Sequence, residues 1–523
     1  MKREFLSGIV SGGLSFFVKT AAMLILTPLM IGLLGVKLYG AYLLFVGISE
    51  LSLLAATGLT TGFIQNFSKA VGSQNGLLRH SLLISARWVY SLIALSVLFL
   101  GWLLMPFLIA QLFKVGPYPV HYLEWIGYLV VLTAVMNIFS QYLSAILWTH
   151  FLHKQTNVVE CVRGILEAIL AVIILYAGGD IAGVFVGRLV IAFFTAVLIG
   201  RLAWQAEPGL RETWNKVSCS FEGISELFRV SLFAMITKIS VFVAHRMDEF
   251  IIAAYLTLTD VTCFGLVMRM LGQIAALMVK LSEGTSPFFA RLSGQDDVES
   301  SRYLFLRSTA LMHFMVCLLL MLVMFGFPEF LEYMGDGKVH LKQALPLALI
   351  ACGTIWTGSI QIPASSYLFS SGFYRFQTVS TVITALCNLG LSIVFIKYFG
   401  LPGVILGTLI PHAIQNHFVT IKMSLFRLKI SWIQFFSNVY IRTFPPLLVA
   451  GVLLTCARYS GSYLFKTPLL PFSFLLPLLA LCGFVSAVVW AVWCLDYKEK
   501  ELLIGFVRKI PFLQFLKTNS INS

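Results

Sequence analysis

The scarcest thing in this chain is charge. Asp, Glu, Lys and Arg make up 11% of its 523 residues, where soluble domains carry roughly 25%. Beside 59% hydrophobic residues, that shortfall excludes an ordinary soluble protein. Anions are the scarcer sign, 23 Asp and Glu against 37 Lys and Arg, for a net charge of +14. Long polar stretches are missing too. The longest outer loop, about 328–342, is too short for a domain, so no soluble catalytic unit has room between the apolar runs. There is no CxxC pair and no metal-ligand spacing. The 9 cysteines are odd in number and most lie inside apolar runs, the pattern of free, buried thiols.

What is present in quantity is apolar length. Runs of about 20 residues recur from end to end, each enough to cross a ~30 Å hydrocarbon layer. They predict an all-α polytopic membrane protein with fourteen spans, near 8–34, 40–66, 82–112, 122–148, 157–178, 181–204, 228–256, 261–288, 304–327, 343–369, 376–399, 402–426, 439–459 and 470–495. The first run follows Lys2 and Arg3, is too long for a signal peptide and contains Lys19, so it reads as a retained helix. Most loop Lys and Arg fall at the N-terminus, in 67–81, 205–227, 289–303 and 427–438, and in the tail. The positive-inside rule then puts both termini in the cytoplasm of a plasma (inner) membrane. The surplus charge faces anionic lipid rather than nucleic acid.

The chain also repeats itself. A shift of 222 lays 61–74 on 283–296, so that Gly62 meets Gly284, Lys69 meets Arg291 and Gly72 meets Gly294. A shift of 220 lays 181–187 on 401–407, matching Gly183 with Gly403 and Gly187 with Gly407, and pairs Gln141 with Gln361. Two near-equal offsets in corresponding places imply two parallel six-helix lobes, a transporter plan with the substrate site between the halves. The expected divisions are an N-terminal lobe over 1–204, a cytoplasmic linker over 205–227, a C-terminal lobe over 228–426, spans 13 and 14 in 427–497, and a tail over 498–523.

The seventh span carries Lys238, His245, Arg246, Asp248 and Glu249, costly residues in a bilayer unless they face a protein interior or a wet cavity. With Lys238 at 0°, a rise of 100° per residue puts His245 at about −20°, Glu249 at about +20°, Arg246 at about +80° and Asp248 at about −80°. All five share one side of the helix, the wall of a polar cavity, with His245 and Glu249 an i,i+4 pair able to share a proton. Lys19 reaches a depth similar to that of Lys238 under the repeat. Lys19, Lys238, Arg246 and Arg269 outnumber the central anions Glu50, Asp248 and Glu249, and cations in surplus suit an anionic, phosphate-bearing substrate. Glu50, Asp248, Glu249 and His245 are candidates to couple transport to H⁺ or Na⁺. Arg163 and Glu167, four apart, read as an ion pair, Arg188 and Lys280 as side chains snorkelling to an interface, and His313 and His412 as satisfied bundle residues.

Four segments resemble the polysaccharide-transporter family of oligosaccharide-lipid flippases, relatives of the MATE multidrug exporters and the lipid II flippases, within a likeness spanning about 5–426. They are Pro28 to Tyr42 (PLMIGLLGVKLYGAY), Ala56-Thr57-Gly58-Leu59, Arg246-Met247-Asp248 with Phe250-Ile251-Ile252, and Ser286 to Leu292 (SPFFARL). The sequence departs from that family at Val261-Thr262-Cys263-Phe264. The resemblance implies export of an undecaprenyl-pyrophosphate-linked oligosaccharide, an O-antigen, capsule or exopolysaccharide unit, from the cytoplasmic to the outer leaflet, without catalysis or an organic cofactor. Its partners would be the lipid-linked oligosaccharide, membrane lipids, and the polymerase and chain-length regulator of the same glycan. The alternatives are a MATE-like small-molecule exporter and a membrane glycan-assembly enzyme or scaffold. A major-facilitator permease fits less well, because its acidic-basic loop between spans 2 and 3 is here Asn66-Phe67-Ser68-Lys69-Ala70-Val71-Gly72.

Overall fold

The computed structural model describes residues 20–23, 25–72, 76–112, 119–150, 152–210, 221–283, 285, 288–289, 292–293, 295, 297–465 and 469–494. In chain order the helices are α1 Thr20–Leu34, α2 Val36–Gly72, α3 Gly76–Leu112, α4 Val120–Thr149, α5 His153–Tyr176, α6 Ile181–Ala206, α7 Phe221–Tyr255, α8 Leu258–Glu283, α9 Val298–Phe325, the short α10 Phe327–Gly335, α11 Leu341–Ser370 and α12 Tyr374–Phe399. They are followed by α13 Leu401–Leu428 and α14 Trp432–Gly461, then α15 Phe472–Cys494. Among the described residues, eleven of these are both long and apolar enough to cross a membrane. Three further expected spans are α1, and α5 and α7, which bear the charged residues. At 24 and 35 residues and ~1.5 Å per residue, α5 and α7 exceed the ~30 Å apolar layer. The chain is a multi-pass α-helical membrane protein.

Contacts divide the chain into two compact units, one of Met1–Arg269, Leu331–Ala351 and Tyr374–Gln415, the other of Met270–Phe330, Cys352–Phe373 and Asn416–Ser523. In the first unit α7 packs lengthwise against α2 and α12, and α4 against α2, α3 and α6. An aromatic cluster of Phe63, Phe67, Tyr90 and Tyr142 fills its core on the α2, α3 and α4 side. Its phenols are satisfied: Tyr90 and Thr60 hydroxyls lie 2.7 Å apart and Tyr142 donates to the Leu83 carbonyl at 3.2 Å.

The repeated glycines explain two helical hairpins of this unit. A Cβ on Gly183 or Gly187 of α6 would meet Ile174 or Leu170 of α5 within 2.9 Å. On Gly403 it would fall 2.2 Å from the Phe395 carbonyl oxygen, and on Gly407 2.5 Å from the Ser392 nitrogen, both on α12. Lipid offers helices no hydrophobic drive to associate, so close backbone approach through small residues supplies the packing. The matched glycines thus sit at a hairpin contact twice, against side chains of α5 and against the backbone of α12.

In the second unit α14 packs on α15 and α9. Phe314 and Trp490 stack with centroids 5.4 Å apart, and buried Glu329 accepts from Arg458 and, at 3.0 Å, from the Leu470 backbone N–H. Two π-helical stretches interrupt α13 and α14, at Gln415–Ile421 and Ser437–Ile441.

Candidate functional site

The charged residues of α7 do not share one environment. The wheel places Arg246 and Asp248 about 160° apart, and each meets a different neighbour. The Arg246 guanidinium lies 2.7 Å from Glu50 of α2 and 3.3 Å from Glu249 one turn along α7. Glu249 is buried, whereas the Arg246 and Glu50 side chains keep 40% and 39% of their surface, so the pair lines accessible space. Arg246 was expected as a surplus cation; two carboxylates share it. The expected His245–Glu249 pair is also absent among the described residues. Glu249 turns to Arg246, and the His245 ring stacks on His412 of α13 with centroids 5.0 Å apart. His412 Nε2 is buried without a hydrogen-bond partner, so His412 is not the satisfied bundle residue expected.

On the other flank Asp248 is 3% exposed and set in a cup of neutral oxygens. Thr408 Oγ1 donates to it at 2.8 Å and Ser392 Oγ at 3.4 Å. Both hydroxyls also lie within 3.3 Å of the Val404 carbonyl oxygen, and Asn388 Nδ2 donates to Thr408 Oγ1 at 2.8 Å. Asn388 Oδ1 is buried and unpartnered. Asn388 and Ser392 are one turn apart on α12, Val404 and Thr408 one turn apart on α13, and Gly407 lets the two helices close. A carboxylate, a carbonyl and two hydroxyls gather here with an amide beside them, the hard oxygen groups that hard cations favour.

The remaining cations part company. Lys238 is exposed on α7, Arg269 lies over the Tyr39 ring at 5.5 Å, and Lys19 and the Lys280 side chain lie outside what the structure describes. The Arg163–Glu167 pair forms at 2.8 Å. Arg188 does not snorkel. Its guanidinium lies 3.4 Å from Glu167 Oε2 and donates to the Tyr42 hydroxyl at 3.4 Å.

With this geometry in place, comparison is informative. A family model described as "polysaccharide biosynthesis protein" matches residues 29–334. The chain belongs to that family. Its fold is that of MOP superfamily membrane transporters. It is similar to the lipid II flippase MurJ in an inward closed conformation, with TM-score 0.67 and 16% identity over 92% of this chain and 98% of that one. It is also similar to a MATE family multidrug resistance transporter in its inward-facing conformation, with TM-score 0.64 and 15% identity over 79% and 95%. A third similar structure is a MOP superfamily transporter from Pyrococcus furiosus Vc1 described as having a binding pocket of reversed polarity, with TM-score 0.58 and 15% identity over 81% and 96%. No curated protein matches.

In this polysaccharide biosynthesis protein the second unit holds another buried polar network, and it is of a different kind. Trp356 Nε1 donates to His313 Nε2 at 3.2 Å, His313 Nδ1 lies 3.0 Å from Thr443 Oγ1, and that hydroxyl reaches the Val439 carbonyl at 2.7 Å. The two π-helical stretches supply His417 and Tyr440, whose ring packs on His313 at 4.9 Å. Each donor meets an acceptor, so His313 is a satisfied structural histidine, as its sequence setting suggested.

Sequence reasoning passed over Asn388, Ser392, Thr408, Tyr39 and Tyr42 because they are uncharged. A usable signal was present. Asn388 and Ser392, and Val404 and Thr408, recur at one-turn spacing in consecutive apolar spans beside the Gly403–Gly407 pair.

Proposed function

We propose that this protein is a flippase that carries an undecaprenyl-pyrophosphate-linked oligosaccharide, an O-antigen, capsule or exopolysaccharide unit, from the cytoplasmic to the outer leaflet by alternating access. It acts as a transporter and not an enzyme, with both termini cytoplasmic, and passes its cargo to the polymerase and chain-length regulator of the same glycan. The observation that carries this reading is the charged face of α7, where Arg246 and Glu50 of α2 line accessible space and buried Glu249 backs the Arg246 guanidinium. Family membership and a flippase-like fold support it. Lys19, Lys238, Arg246 and Arg269 hold the pyrophosphate; Glu50 and Glu249 hold Arg246 in place while the cavity is empty and release it to the substrate.

The coupling cation binds at Asp248, and the neutral oxygens of Asn388, Ser392, Thr408 and Val404 favour Na⁺ over H⁺. His245, stacked on His412, borders that cup on α7. The deciding experiment is leaflet assignment of lipid-linked oligosaccharide in cells depleted of the protein. Accumulation on the cytoplasmic face, rescued by wild type but not by Arg246→Ala or Lys19→Ala, is expected. Unchanged sidedness with shortened polymer would replace the flippase with an assembly enzyme or scaffold, and unchanged glycan would leave a small-molecule exporter.

A further inference from the structure

A cavity of about 170 Å³ opens in the first unit among α1, α2, α5, α6 and α8, lined by Thr27, Tyr42, Glu167, Arg188 and Arg269 and by apolar side chains that include Leu26 and Met30. Small residues make the space: Gly164, Ala168 and Ala171 recur along the α5 wall. Its polar equipment is lopsided. Among the described residues Glu167 is the only carboxylate in the lining, and it is already shared between Arg163 at 2.8 Å and Arg188 at 3.4 Å. Arg269 has no carboxylate within ion-pair distance and no hydrogen bond among the described residues; its contact is the face of Tyr39 at 5.5 Å. Tyr39 in turn stacks on Tyr42 at 5.9 Å, and Tyr42 accepts from Arg188. Thr27 is 1% exposed, and its Oγ1 has no hydrogen-bond partner.

A guanidinium in a low-dielectric cavity with unspent N–H groups, whose nearby carboxylates Glu167 and Glu249 are each engaged by another arginine, is expensive, and the remedy that fits the space is an anion. We infer that this cavity binds a phosphate ester, its oxygens accepting from Arg188, Arg269 and Thr27 and its apolar substituent lying against Leu26 and Met30. A tetrahedral phosphate offers several acceptor oxygens to donors arriving from different helices, and arginine forks suit it. The volume admits a phosphate and the first carbons attached to it and is too small for an oligosaccharide. Glu167 acts as a brake: by occupying Arg188 it weakens binding and so allows release. Two sources share this chemistry, the lipid-linked cargo and a membrane phospholipid. Only the first rests on the flippase reading, so binding by the purified protein is tested apart from transport.

The experiment is titration of purified full-length protein in detergent with inorganic phosphate, geranyl phosphate and dihexanoyl phosphatidic acid, read by calorimetry, with chloride and glucuronate as controls. Saturable phosphate binding is expected, tightened by an apolar ester. Arg188→Gln should weaken it about tenfold or more, the usual scale of one charge-assisted hydrogen bond. Ala168→Leu, which fills the cavity without touching a charge, should abolish it. Glu167→Gln should strengthen it several-fold, a change of sign that a purely structural ion pair would not produce. Tighter binding of geranyl phosphate names the cargo as the source, and tighter binding of phosphatidic acid names the bilayer; either supports the cavity. Wild-type protein with no saturable binding, a preference for glucuronate, or affinity indifferent to both Ala168→Leu and Glu167→Gln would overturn the inference. Thr27→Val, a near-isosteric change that spares the fold, should cost a few-fold and guards against misfolded arginine variants.

Discussion

Two buried polar networks, one in each unit, use similar materials to opposite ends. Around His313 every donor finds an acceptor: Trp356 feeds the imidazole, the imidazole feeds Thr443, and Thr443 ends on a backbone carbonyl. Around Asp248 and Arg246 the accounts stay open. Among the described residues Asn388 Oδ1 and His412 Nε2 have no partner, a buried aspartate has only neutral neighbours within hydrogen-bond reach, and partly exposed Arg246 straddles two carboxylates. A closed network rigidifies; an open one at membrane depth costs stability unless something else completes it. Between these two networks, openness is the difference that charge alone does not report: unpartnered atoms of Asn388 and His412 lie around Asp248, and none lies among Trp356, His313 and Thr443.

The largest effect should come from the open side. Asp248→Asn keeps the shape and the Thr408 hydrogen bond but removes the charge that a cation requires. Glycan export per molecule of protein should fall at least tenfold, and a Na⁺-dependent rise in melting temperature should vanish with it. Asn388→Leu should give the same loss of Na⁺ response although it alters no charge. If Asp248→Asn exported normally, the cup would be scaffold and the contrast with His313 would collapse.

Next is the Arg246 junction. Arg246→Gln leaves Glu50 and Glu249 facing each other without their shared cation, and export should drop severely. Adding Glu50→Gln removes that repulsion, so the double variant should regain protein level and melting temperature while export stays low. Separating the two readouts decides whether Arg246 touches cargo or only keeps carboxylates apart. Recovery of export in the double variant would assign it the second role.

These outcomes also mark how far residues alone could be read. The helical class, eleven of the expected spans and the special status of α7 follow from apolar run length and from five charges placed where charge is costly. The matched glycines were visible in the sequence, and they reappear at the α5–α6 and α12–α13 contacts. The partition of the α7 charges was not visible. A helical wheel reports direction, and what decides the site is which helix stands in that direction: α2 for Arg246, α12 and α13 for Asp248. Arg188 was misjudged for a related reason. Its partners lie on other helices, Glu167 on the preceding one and Tyr42 146 residues away, and nothing local announces them.

A smaller effect is expected on the closed side. Trp356→Phe removes the donor to His313 Nε2 and keeps an aromatic ring, leaving one buried acceptor unmet at a cost of about 1–3 kcal/mol. Melting temperature should fall by a few degrees, with export per folded molecule unchanged. Gly407→Ala offers an intermediate case: its Cβ would crowd the Ser392 nitrogen at 2.5 Å, so it should reduce both stability and Na⁺ response by prising open the cup.

The smallest effect tests whether a closed network stays scaffold when it is charged. Just beyond α6, Glu207 is 1% exposed and accepts from Arg79 of α3 at 2.6 Å and from His150, at the end of α4, at 3.1 Å. Burial alone would raise its pKa, but the hydrogen bonds and charges of His150 and Arg79 outweigh burial and hold it below the ordinary 4.5. A carboxyl with a depressed pKa in the folded state contributes stability above its unfolded value and loses it as pH falls through the folded one. The contribution should therefore be constant at neutral pH and fade below about pH 4.5. Because Arg79 is partly exposed, screening keeps the pair modest, about 1 kcal/mol. Glu207→Gln should lower the melting temperature slightly at pH 7, and the gap to wild type should narrow as the pH falls from about 5 to about 3. Export at neutral pH should be unaffected, since the triad joins α3, α4 and α6 to one another and leaves no atom waiting for a ligand. A loss of export as large as that of Asp248→Asn, with stability intact, would mean that charge and not openness marks the working residues of this protein.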